Sequence, residues 1–309
     1  MNEEMKTEKE NHMDYMTTLL EVIKRKLVEV EGKDLEFGNG ESRTRQLYYL
    51  KRLEDNLVVP MSDEVRAMYE RGDGNELDWK MCAVRSSAAM TFNLFGNGPV
   101  KFAYGEEFNL AYEHRLQTLR NNSRPANIDA YLYDEDEDIY CEMKMLEWLE
   151  PPRHTLSPAY LKAENYSIVP EDAGKFIELF GRLAAGKDGE SELVSNERYD
   201  GLQMAKHLLA IYANMTTEEY KPKVVTLLNC VWELANPDVL GCYNETYLDM
   251  KAKEHEGFEK FEKSAAELIA PLFEAKGVCL SIEYETVAEL MESIDYDKAH
   301  RAKLERYVI

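Results

Sequence analysis

Asp129 and the Glu142-Met143-Lys144 triplet have the residue types and spacing best suited to hydrolytic chemistry. The stretch that holds them, NIDAYLYDEDEDIYCEMKMLEW over 127–148, predicts a β-hairpin. Its two runs, Ile128 to Tyr133 and Asp138 to Met145, alternate with period 2 and are rich in β-branched and aromatic residues. The acidic tract 134–137 is a natural polar turn. Ile128, Ala130 and Leu132 share one face, and Ile139, Cys141 and Met143 share one. Burying both sets on the same side requires an even-membered loop, because a slip of one residue flips a strand. A four-residue loop pairs Tyr133 with Asp138, Tyr131 with Tyr140, and Asp129 with Glu142. The polar face then carries Asp129, Tyr131, Tyr133, Asp138, Tyr140, Glu142 and Lys144.

Two carboxylates opposite each other on a sheet lie roughly 5 Å apart at Cβ and repel. They need a cation or a proton between them. Lys144 supplies one positive charge, and a hard divalent ion such as Mg²⁺, or Mn²⁺, would supply more. Asp129, Glu142 and the Met143 carbonyl are the expected metal ligands. Lys144 is placed to orient or deprotonate an attacking water and to steady developing negative charge.

Asp129 followed by Glu142-Met143-Lys144 across a turn resembles the PD-(D/E)xK nuclease superfamily, with Ile128 where the usual Pro would stand. The segment from Ser86 to Gly96 and Glu147 after the motif are similar to a bacterial group of restriction-endonuclease-like proteins. The resemblance covers roughly residues 80 to 285. It implies a metal-dependent nuclease acting on nucleic acid, with DNA the expected substrate, in restriction, defence or repair. It leaves a homodimer open. It further implies a supporting acid before the Asp, for which Glu113 is the candidate with Glu107 behind it. It also implies a Gln or Lys on the following helix, which Gln203 matches, with His207 beside it. The competing reading is an inactive nuclease fold serving as an acidic interaction module, motivated by the net charge and an exposed Tyr131/Tyr140 pair.

The chain has 309 residues, 44% apolar and 31% charged, as in an ordinary soluble protein. No run of eighteen apolar residues predicts a membrane span, and the polar, acidic N-terminus is unlike a secretory signal. The five cysteines, without a C-x-x-C, read as reduced and buried in a cytoplasmic protein. The six scattered histidines argue against zinc. A net charge of −22 weighs against a phosphate-backbone ligand, which is held mainly by Lys and Arg. Two local basic stretches, 43–52 and 114–124, offset it.

The elements needed to position the site follow from hydrophobic periodicity. Residues 1–12 are expected to fray. Helices are expected over 13–31, 43–58, 62–70 and 80–95, with a turn at 71–74. A first strand falls at 107–119. A long connection with little regular structure spans 149–170. A helix over 171–185 is expected to be capped by Asp172 or Glu171 and stopped by Gly186, and another covers 196–214. Residues 223–234 are nearly all apolar, as in a strand buried on both faces. A helix over 245–275, bent near Gly257, a strand at 277–284 and a helical tail follow. Asp134, Asp136 and Asp138 do not form an EF-hand loop, because Ile139 and Met145 stand where Gly and Glu are needed. The fold expected is α/β, a restriction-endonuclease-like mixed sheet flanked by helices. A helical extension over 1–80 precedes a nuclease-like domain over 81–309.

Overall fold

The computed structural model describes residues 3–32, 35–72, 75–120, 125–184, 186–188, 192–215 and 222–309, with side chains described outside 3–13, 186–188 and 192. The expected turn at 71–74 falls partly outside this set. The chain packs as two compact units. The first combines residues 1–106, 231–249 and 286–309; the second combines 107–230 and 250–285.

In the first unit, α1 (Glu3–Glu31) begins about ten residues earlier than the apolar stripe alone indicates. Tyr15, Leu19, Val22, Ile23 and Leu27 form its buried face. The helix expected over 43–58 is only α2 (Arg43–Tyr48). Tyr49 is extended and bridges to Ala83, and Leu50 bridges to Phe37. The β-propensity of the paired tyrosines and these pairings prevail over the helical spacing of the leucines. Helix α3 (Asp63–Arg71) starts at Ser62, whose side chain accepts from the Val65 amide. The helix expected from residue 80 is shorter. A 3-10 turn, Lys80–Cys82, precedes α4 (Ser87–Phe95), which Ser86 caps through the Ala89 amide. The buried Asn93 bonds Val58 N, Asn56 O and the Tyr307 hydroxyl. Trp232 Nε1 donates to the Tyr307 carbonyl at 2.8 Å. These bonds join the three chain segments of the unit.

The second unit is built on strands β1 (Glu107–Leu116), β2 (Ala126–Tyr133) and β3 (Glu137–Lys144). Three short strands follow: β4 (His154–Leu156), β5 (Gly186–Asp188) and β6 (Glu192–Ser195). Two longer strands, β7 (Val224–Val231) and β8 (Cys279–Thr286), complete the set. The long strands form a mixed sheet in the order β1-β2-β3-β7-β8. β1, β2 and β3 are an antiparallel meander. β7 begins beside the start of β3, with Lys223 N and Val224 N donating to Asp136 O. β8 begins beside β7, with Cys279 N donating to Lys223 O. β3, β7 and β8 therefore run the same way. β7 is buried from Val225 through Val231, as expected for a central strand covered on both faces.

Helices α5 (Pro170–Leu183), α6 (Gly201–Asn214), α7 (Asn244–Leu268) and α8 (Ala270–Glu274) belong to the flanking layers. Several expectations need correction. The connection after residue 149 is not structureless: β4 pairs with β6, and 3-10 turns cover Pro158–Leu161 and Ala163–Asn165. Pro170 occupies the first turn of α5 and Val169 its N-cap, so neither Glu171 nor Asp172 caps it. The helix ends at Leu183, and Gly186 opens β5 instead of stopping α5. α6 starts after its N-cap Asp200, later than expected, since 197–199 form a bend and not a helical turn. Cys82, Cys141 and Cys230 are buried, but Cys242 and Cys279 are exposed.

The expected bend at Gly257 is absent, and the helix breaks at Ile269 ahead of Pro271. Gly257 serves close packing. A Cβ there would stand 2.6 Å from Tyr199 Cβ and 3.3 Å from its amide nitrogen. Gly257→Ala is therefore expected to lower stability in denaturant titration by about 1–3 kcal/mol from overpacking, although alanine is the better helix former.

Candidate active site

The hairpin register places the site. Tyr131 pairs with Tyr140 and Tyr133 with Asp138, as alternation and loop length require. The turn is set by Asp134, whose Oδ1 accepts from the amides of Asp136 and Glu137. The paired rungs run as far as Ala130 and Cys141. One step beyond, the Asp129 carboxylate accepts the Met143 amide at 2.8 Å, and its charge interacts with that of Glu142.

The face bearing these acids is not a solvent face. Glu142 is 3% exposed, and Tyr140 and Asp138 are buried with it. Tyr131 stacks on Tyr140 with ring centroids 4.7 Å apart and on His114 at 4.5 Å. Both phenols donate to Asp138, at 2.9 and 3.3 Å. Of the expected exposed aromatic pair, Tyr140 is buried and Tyr131 half-buried, stacked between Tyr140 and the exposed Tyr133, so that support for an interaction module is weakened.

Helix α6 covers the acids. Gln203 and His207 lie one turn apart on its inner face, and both reach Glu142. Gln203 Nε2 donates to Oε1 at 2.8 Å, and His207 Nε2 lies 3.0 Å from Oε2. Lys144 Nζ donates to Glu142 Oε1 at 2.7 Å and to Gln203 Oε1 at 2.9 Å. Asp129, Glu142, Lys144 and Gln203 are therefore in one cluster, and His207 anchors its base. Asp200 orients this end of α6 by accepting the Gln203 amide at 3.0 Å.

Glu113 lies opposite Asp129, because its neighbours Tyr112 and His114 pair with Ala130 and Ile128. Its φ of 49° is a left-handed value that an L side chain rarely adopts. Its charge adds to the repulsion on Asp129. Glu107 sits exposed at the start of β1, six residues up the strand. Glu147 Oε2 accepts the amides of Met145 and Leu146, fixing the chain just after Lys144.

The charges do not balance internally. Burial and the neighbouring Glu142 charge push the Asp129 carboxyl well above its usual range. Burial would raise Glu142 too, but the Lys144 ammonium and the His207 bond outweigh it and hold Glu142 down to about 2. Burial works against the Lys144 charge, yet Glu142 and Asp129 keep that amine protonated above its ordinary range. One ammonium serves two carboxylates, leaving Asp129 to hold a proton or a cation. Among the described residues no three His, Cys, Asp or Glu side chains form a ready cage. Two hard oxygen donors with a charge deficit nonetheless fit Mg²⁺ or Mn²⁺, which complete their shells with water and phosphate oxygens. The Met143 carbonyl is the adjacent main-chain oxygen.

Residues outside the predicted set also face the cluster. A cavity of about 300 Å³ is lined by Lys144 and Gln203 together with Trp148, His154, Tyr199, Asn229 and Glu254, among others. Signals for some of these were available. Asn229 is a polar residue in an apolar strand, Glu254 falls on the inward stripe of its helix, and Asp200 has the form of an N-cap.

The family described as Restriction Endonuclease associating with ARP matches the chain over residues 21–305. No curated protein and no solved structure matches it.

Proposed function

The chain belongs to the family of restriction endonucleases associating with ARP, and from that premise we propose that it hydrolyses phosphodiester bonds of DNA with Mg²⁺ or Mn²⁺. The observation that carries this reading is the contact of Lys144 with Glu142 and Gln203 beside Asp129, whose carboxyl burial and Glu142 push above its usual range. The ion would be held by Asp129, Glu142 and the Met143 carbonyl, with Glu113 as an outer acid. When bound, it supplies Lewis-acid polarisation of the phosphate and lowers the pKa of water.

The chain's own groups have separable roles. Asp129 would hold the cation through its carboxylate, whose raised pKa makes proton and cation competitors for it. Glu142 remains ionised, because Lys144 and His207 hold it so. Lys144 is a cation at neutral pH, so it acts as a donor to negative charge developing on the phosphate and not as the base. Gln203 fixes the Lys144 ammonium by accepting its second hydrogen bond. The net charge of −22 places the burden of backbone binding on local basic residues.

The test pairs binding with turnover. Millimolar Mg²⁺ or Mn²⁺ is expected to raise Tm and to support cleavage of plasmid or single-stranded DNA. The Tm gain should grow with pH through the titration of Asp129, because proton and cation compete for the same carboxylate. No Tm gain at any pH between 5 and 9, together with intact DNA, would dismiss the reading.

A further inference from the structure

The cavity beside Lys144 is lined by residues whose buried polar atoms the described structure leaves without partners. Glu254 Oε2, Tyr199 Oη and Asn229 Nδ2 are all buried and all unbonded. Their residues are 2%, 3% and 2% exposed respectively, and each lines this cavity. Buried polar groups are bonded in the great majority of cases, so three lining side chains with orphaned atoms mark a place where a small side-chain rotation would meet a polar molecule. The walls are aromatic as well: Trp148 is 4% exposed, and its indole nitrogen donates to the Met145 carbonyl at 3.1 Å. The Tyr199 ring is held edge-on by Phe258 at 5.6 Å. The volume of about 300 Å³ lies at the lower end of small-ligand pockets.

We propose that this cavity receives one nucleobase, belonging to the nucleotide whose phosphate lies at Lys144. This extends the nuclease reading and rests on it for the position of the phosphate. The Asn229 amide nitrogen is a donor, the Tyr199 hydroxyl donates or accepts, and Glu254 accepts or, when protonated, donates. A mixed set of donors and acceptors beside aromatic rings matches a planar base edge. It does not match a second phosphate or an apolar compound. Burial raises the Glu254 carboxyl to about 7 against the pull of Arg198, His154 and Lys144, so it presents its protonated form readily. The cavity is lined by Lys144 and Gln203, so an occupant stands beside the reacting centre. A base inside a duplex would have to leave the stack to enter, whereas one in a single strand would not.

The test uses the full chain in EDTA, so that binding is read without cleavage. Calorimetric titration with the four deoxynucleoside monophosphates is compared with short single strands lacking one base at each position in turn. Binding of a free mononucleotide, or a strand affinity that falls about tenfold when one particular base is absent, supports the assignment. The first result identifies free nucleotide as sufficient, and the second identifies a base held in the strand. Tyr199→Phe, which keeps the ring, and Asn229→Ala should each abolish that selectivity while melting close to the parent. If no mononucleotide binds and every base is dispensable, or if both folded variants keep the selectivity, the cavity holds only water. Base-dependent binding without Mg²⁺-supported cleavage would leave this assignment standing and defeat the hydrolytic one.

Discussion

Asp129→Asn is expected to abolish metal-supported cleavage and, without metal, to melt higher than the parent. The asparagine retains an oxygen for the Met143 amide, so the strand geometry is preserved. What disappears is the charge that burial and Glu142 make costly. The raised carboxyl pKa fixes the sign. A carboxyl that binds its proton more tightly when folded destabilises the fold as pH rises from its unfolded value through its folded one. The Tm advantage of the variant should therefore widen with pH in EDTA, and its Tm should ignore Mg²⁺. Lys144→Met is the companion, with a loss of about 10²- to 10³-fold in cleavage rate from removal of one donor to developing charge. Cleavage at the parental rate in either folded variant would refute these roles. A site that is less stable for being competent is the familiar exchange of stability for activity.

His207→Leu is expected to cost on the order of 3 kcal/mol, because it leaves one oxygen of a buried carboxylate without its partner. The penalty should depend on pH in a definite way. Glu142 is held down to about 2 in the fold from an ordinary 4.5, so its ionised form stabilises the protein above about pH 4.5. That contribution is lost as pH falls through this window. The stability gap between parent and variant should therefore be widest near neutral pH and narrow below pH 4.5 in denaturant titrations. A gap that does not change with pH would mean that His207 acts by filling space alone.

Much of this centre could be read from residue order. Strand alternation and an even loop fix which side chains of 127–145 share a face, and the register follows. Four-residue spacing on one helix puts Gln203 and His207 side by side, though not their approach to Glu142. Burial was not legible, because the face reads polar and α6 covers it only through tertiary packing. The 149–170 connection and the 3-10 turns within it lack any sustained period, so His154 escaped notice. The leucine spacing of 43–58 fits a helix, and only pairing with Phe37 and Ala83 makes Tyr49 and Leu50 extended. Gly257 looks like a breaker until Tyr199 is seen against it.

The first unit is assembled from three separated stretches of chain, and the second from two. On a ribosome, the strand Cys279–Thr286 and the helices Val287–Ser293 and Lys298–Leu304 emerge after the hairpin and α6. Neither unit can close early, so a chain stalled before residue 279 has the acids and the lysine but not the sheet that seats them. The order of synthesis thereby delays closure of this sheet until Thr286 has been added.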